Sequence, residues 1–113
     1  IAEVGKRMGC SHYAQTSAVA TAMQESTLHN YVNAVDHDSV GLFQQRPASG
    51  WGTPDELTTP RIAARKFYNA LAGVEGWWNM PLTVAAQTVQ GSAYPDRYAD
   101  DGPEARLLVN SVN

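Results

Sequence analysis

A mainly α fold with a small non-helical lobe (α+β) is predicted by three observations. Apolar residues recur at helical spacing near both ends of the 113-residue chain and twice between. From Ser17 to Met23 every residue is small or apolar, the pattern of a helix buried on most sides. Turn-forming residues gather between these segments, chiefly over 30–60. The expected architecture is a helical bundle around a central helix, with a small β-hairpin or loop lobe beside a cleft.

The elements follow in order. Ile1, Val4 and Met8 share one helical face, and Gly9 is a stop. Cys10 reads as a small buried apolar residue, with a nucleophile as the rival that nothing around it supports. Ser11 can cap a second helix running from His12 or Tyr13 to about Leu28, the central one. Residues 30–47 are loop and strand, with Gly41 to Gln45 a short strand or extended loop lining the cleft. Pro47 to Pro60 is a turn-rich loop punctuated by Pro47, Gly50, Gly52, Pro54 and Pro60, with Trp51 against core or cleft wall. Thr59-Pro60 combines a capping hydroxyl with a proline at the first helical position. That helix runs to about Leu71, with Ile62, Ala63, Phe67, Ala70 and Leu71 inward, and Arg61, Arg65 and Lys66 on a solvated face. A helix over 82–92 takes Thr83 as its cap and turns Leu82, Ala85, Ala86 and Val89 inward. Pro103 to Val112 closes the chain.

Glu25 is the residue around which these elements are organised. It is the first charge after His12 and closes a run of small and apolar residues. A carboxyl at the end of a buried helix is partly desolvated, which raises its pKa and keeps it protonated, as a general acid requires. The alternative is a solvated glutamate in a last helical turn.

Composition excludes several classes. The chain has 43% hydrophobic residues, enough for a folded core in a single domain over 1–113. Net charge is −3 and the basic residues are not clustered, which argues against nucleic acid and anionic membrane surfaces as partners. No apolar run reaches transmembrane length, so no membrane insertion is expected. One cysteine rules out an intrachain disulfide. The start at Ile1, without Met, suggests excision from a longer polypeptide that carries other domains. Asp36-His37-Asp38-Ser39-Val40-Gly41 looks like the start of a calcium loop. It fails at Val40 and at Pro47, and His29 with Asp36, His37 and Asp38 matches no ligand spacing, so no metal and no cofactor is expected.

Ala22-Met23-Gln24-Glu25-Ser26, followed by Ser39-Val40-Gly41-Leu42-Phe43-Gln44, resembles the soluble lytic transglycosylase and goose-type lysozyme superfamily. Members carry a helix-ending Glu-Ser and a later Gly-Leu-Met-Gln, in which Phe43 here replaces Met. Gly-Leu-Phe-Gln-Gln-Arg-Pro, Gly50-Trp51-Gly52-Thr53, Met80 to Thr83 and Ala93 to Pro95 are similar to the transglycosylase-like domains of actinobacteria and their phages. The resemblance spans about Ala18 to Tyr98 and implies a lysozyme-like fold.

It also implies an activity: cleavage of peptidoglycan at the β-1,4 bond after N-acetylmuramic acid, with Glu25 as acid and base. Gln44 becomes a substrate-binding residue by the same resemblance. Ser39, Gln45 and Trp78 are further substrate-binding candidates, the last as a stacking platform for sugars beside Trp77, with core packing as the rival. In many transglycosylases a later helix ends Ala-Tyr-Asn-Ala-Gly. The matching stretch here is Thr88-Val89-Gln90-Gly91-Ser92, so Val89 stands at the tyrosine position, Gln90 at the asparagine, and Tyr94 or Tyr98 is left to supply the phenol.

Two outcomes of the reaction stay open. A transglycosylase needs only Glu25 and gives 1,6-anhydro sugars. A lysozyme uses Asp36 or Asp38 to orient water, with the carboxyls roughly 6.5–9.5 Å apart if the reaction inverts. A glycan-binding module without turnover is the non-enzymatic alternative. The expected protein is a monomer acting on the cell wall, as a phage endolysin, a phage tail component or a secreted wall-remodelling enzyme.

Overall fold

The computed structural model describes residues 1–33, 38–90 and 102–113. They form six α-helices: α1 (Ala2–Arg7), α2 (His12–Ser26), α3 (Pro54–Leu57), α4 (Pro60–Ala72), α5 (Leu82–Gln90) and α6 (Gly102–Val112). Short 3-10 turns occupy Pro47–Ser49 and Trp77–Asn79. Among the described residues there is no named strand; Val40 and Gln45 form a single antiparallel bridge. The described residues are therefore mainly helical, and 40–45 form one tight turn closed by that bridge.

α2 is the centre. Ser11 caps it, its hydroxyl accepting from the Ala14 N–H at 3.2 Å. Ala14 through Ala22 are all buried. Such a helix needs neighbours on every side, and α1, α4, α5 and α6 supply them. Ala14, Ala18 and Ala22 face Leu42, Phe43, Phe67, Tyr68 and Leu71, while Val19 and Ala20 face Ala105 and Val109 of α6. Three of its buried polar side chains are paired: Thr21 and Ser17 donate back to the carbonyls one turn earlier, and Gln15 bonds Cys10 O and Asn113.

α1 buries its smallest residues, Ala2 and Gly5, and packs Ile1 and Val4 of the expected stripe half-buried against the core, while Met8 is exposed. Gly5 sets the close approach. A Cβ there would stand 2.5 Å from the Tyr68 hydroxyl, so only glycine lets α1 ride this close to α4. The Tyr68 hydroxyl then donates to Ile1 O at 3.0 Å. Cys10 is half-buried against the same core.

The stretch read as an unbroken loop, 47–60, contains α3. Thr53 and Glu56 cap it reciprocally, the side chain of each accepting the other's backbone N–H. Thr59 stands at the N-cap of α4 but does not cap it with its side chain, because its hydroxyl donates to Asp55 O at 2.8 Å. α5 begins at Leu82, so Thr83 lies inside the first turn and not at the cap. The last two residues expected in that helix, Gly91 and Ser92, lie outside the described residues. No helix among those described is long and apolar enough to cross a membrane.

Candidate active site

The site begins at the end of α2. Glu25 stands half-buried in its last turn and Ser26 is buried. The chain then leaves the helix through two successive non-glycine residues in the left-handed region, Thr27 (φ 54°) and Leu28 (φ 61°). Each such residue costs roughly 1–3 kcal/mol, so the surroundings must hold them there. Part of that hold is Ser26. Its hydroxyl faces two carbonyl oxygens, Ala22 O at 2.9 Å on its own helix and Leu42 O at 2.6 Å sixteen residues on.

Leu42 belongs to a tight turn over 40–45. Val40 and Gln45 exchange two backbone hydrogen bonds of 3.1 Å each, and the Gly41 N–H donates to Tyr31 O at 2.8 Å. Gly41 has φ +80°, and a Cβ on it would collide with the Leu57 carbonyl oxygen. Phe43 is fully buried and stacks on Phe67, with ring centroids 5.0 Å apart. The Gln90 amide at the end of α5 donates to Phe43 O at 2.6 Å. Two consecutive turn carbonyls are thus held by side chains from two different helices, Ser26 of α2 and Gln90 of α5. Loss of the Ser26 hydroxyl leaves Leu42 O buried without its partner. We expect Ser26→Ala to lose about 1–3 kcal/mol of stability, read from its urea midpoint.

The predicted residues divide. Glu25, Ser39, Gln44 and Gln90 belong to the end of α2, the turn and the helix end that braces it. Gln44 is half-buried at φ 49°, and its amide donates to Gly41 O at 3.0 Å within the same turn. Ser39 is 8% exposed and Gln45 is 2% exposed, so neither side chain lines an open surface. Trp78 is placed elsewhere. It lines an apolar cavity of about 480 Å³ with Cys10, Ser11, Ala14 and Trp77, at the opposite end of α2. Ala14 to Glu25 is about 16 Å along the helix axis, so this cavity and the end of α2 are separate places on the fold. Asp36, Tyr94 and Tyr98 lie outside the described residues.

Asp38 is tied down. Its Oδ1 accepts from Arg46 Nε at 2.5 Å and its Oδ2 from the Ala48 N–H at 2.9 Å, which fastens the start of the turn to the 3-10 segment after it. The hydrogen bond from Arg46, then that from Ala48, holds this carboxyl below the ordinary aspartate range. The sign follows. A depressed carboxyl contributes stability above the unfolded value of about 3.9, and the contribution is lost as pH falls through the folded value. An NMR titration of the Asp38 carboxyl carbon should give a midpoint below that of an unpaired aspartate, and Arg46→Gln should raise it.

No family model matches this chain, and no curated protein is significantly similar to it.

Three residues that matter for the geometry were not singled out as site residues from the sequence: Ser26, Phe43 and Asn30, whose amide donates to Thr58 O at 2.7 Å and so joins the exit from α2 to the start of α4. The signal for the first two was present in the Glu-Ser and Gly-Leu-Phe-Gln segments themselves. Among the described residues no three His, Cys, Asp or Glu side chains converge to hold a metal ion.

Proposed function

We propose that this chain cleaves peptidoglycan between N-acetylmuramic acid and N-acetylglucosamine as a lytic transglycosylase, with Glu25 as acid and then base. The observation that carries this reading is the 2.6 Å bond from Ser26 to Leu42 O. It joins Glu-Ser to Gly-Leu-Phe-Gln, the two segments on which the resemblance to transglycosylases and goose-type lysozymes rests. The half-burial of Glu25 agrees with the partial desolvation a general acid needs.

The chemistry needs few groups. Glu25 gives its proton to the glycosidic oxygen as the bond to the muramic anomeric carbon breaks, through an oxocarbenium-like state. The carboxylate left behind then takes the proton of the muramic 6-hydroxyl as that oxygen closes on the anomeric carbon. The products are a 1,6-anhydro end and a free 4-hydroxyl, and Glu25 is protonated again. No cofactor and no second carboxylate takes part. The engagement of both Asp38 oxygens favours this course over water activation by Asp38. Gln44 and Gln90 keep the turn rigid beside the reacting acid.

The test is release of soluble dye from dye-labelled, insoluble peptidoglycan. Steady release supports the reading. Protein that sediments with the wall and releases nothing would make the chain a binding module.

A further inference from the structure

α1 and α4 pack side by side, and a groove of about 420 Å³ runs between them. Arg7, Arg61 and Arg65 rim it, and Val4, Met8 and Ile62 form its floor. The spacing explains the arrangement: Val4, Arg7 and Met8 are one helical face of α1, and Arg61 and Arg65 stand one turn apart on α4. Three of the eight basic residues of a chain with net charge −3 therefore meet at one place. Arg7 is paired with Glu3 at 2.8 Å on the outer side. Arg61 and Arg65 are exposed, and among the described residues no carboxylate pairs with either.

The start of α4 is also tied to the turn of the candidate site. Leu57 O abuts Gly41 of the turn, and Asn30 bonds Thr58 O. Arg61 follows Thr58 by three residues, at most about 10 Å of chain. The groove sets guanidinium groups beside aliphatic side chains. Guanidinium recognises carboxylate in a paired, planar way, and the floor suits short aliphatic side chains.

We propose that this groove binds the acidic stem peptide of the wall, its carboxylates on Arg61 and Arg65 and its small apolar side chains over Val4, Met8 and Ile62. The proposal rests on the peptidoglycan reading for its choice of partner, but its test does not depend on turnover. The probe is the soluble peptide N-acetyl-L-Ala–D-Glu–L-Lys–D-Ala, whose blocked N-terminus leaves it net acidic, titrated into the isotope-labelled chain while the Arg Nε–H resonances are followed by NMR. Arg61 and Arg65 should shift and saturate. The double variant Arg61→Gln/Arg65→Gln, whose sites are exposed and whose thermal unfolding should match the parent, should bind roughly tenfold more weakly. The same peptide with its carboxylates amidated should not bind.

Three results would overturn the proposal: no shift at either arginine, equal binding by the double variant, or equal binding of the amidated peptide. Titration with a polyglycerol phosphate is the competing arm, and saturation by it with no response to the peptide would assign the groove to phosphate polymers instead. A parent chain that binds the peptide but releases no dye from walls would sink the glycosidase reading and leave the groove standing.

Discussion

Glu25→Gln should lose wall-clearing activity by about 10²–10⁴-fold, the usual contribution of a positioned general acid, with the fold intact. The amide is nearly isosteric and sits at a half-buried helix end, so it asks for no repacking. It has no proton of suitable acidity to give the leaving oxygen, and it cannot accept one from the muramic 6-hydroxyl. Both halves of the reaction fail together. Clearance of a peptidoglycan suspension measures the rate, and circular dichroism of the same sample checks the fold. Clearance at the parental rate would remove Glu25 as the acid.

Gly41→Ala should be the most damaging small substitution in the turn. Two effects add there. Gly41 has φ +80°, which an L side chain adopts only with strain, and the new methyl group would collide with Leu57 O. Backbone cannot swing aside as a flexible side chain can. The expected loss is roughly 2–5 kcal/mol in the urea midpoint. Gly50 supplies the control. It has φ +85° but open space around its Cα, so Gly50→Ala carries the backbone effect alone, about 1 kcal/mol. Equal losses at the two positions would show that the close approach of Leu57 to the turn is not a constraint. Because the turn is pinned to α2 through Ser26, Gly41→Ala should also lower turnover at temperatures where the protein is still folded.

How much of this was legible in the residues depends on the range over which each is decided. Helices whose burial pattern is local were readable. α2 showed itself through an unbroken small and apolar run, and α4 through its inward stripe and its outward arginines. α3 was missed because Pro and Gly on either side dominate the reading of 47–60, although the capping-box spacing of Thr53 and Glu56 was there to be found. The Thr59 cap failed for a reason no local rule supplies: the hydroxyl has a nearer carbonyl on Asp55. Gly41 to Gln45 was expected extended, but the segment is too short to pair with anything except itself, and it closes through Val40 and Gln45.

The candidate site was legible as motifs and not as geometry. Glu25 and the Gly-Leu-Phe-Gln segment were found, but the hydroxyl that joins them is a contact between residues sixteen apart. The placement of Trp78 also depends on long-range packing. An exposed tryptophan beside another is a reasonable sugar platform, and only the packing of the 3-10 turn over the start of α2 sends it to the far end from Glu25. The ion pair of Arg46 with Asp38 likewise joins residues that no local pattern links.

The most direct test is the mass of the soluble fragments released when purified peptidoglycan is digested with this chain. The account predicts muropeptides ending in 1,6-anhydro-muramic acid, each lighter by one water than its reducing-end counterpart. Reducing-end fragments would contradict it, because water and not the 6-hydroxyl would then have attacked the anomeric carbon.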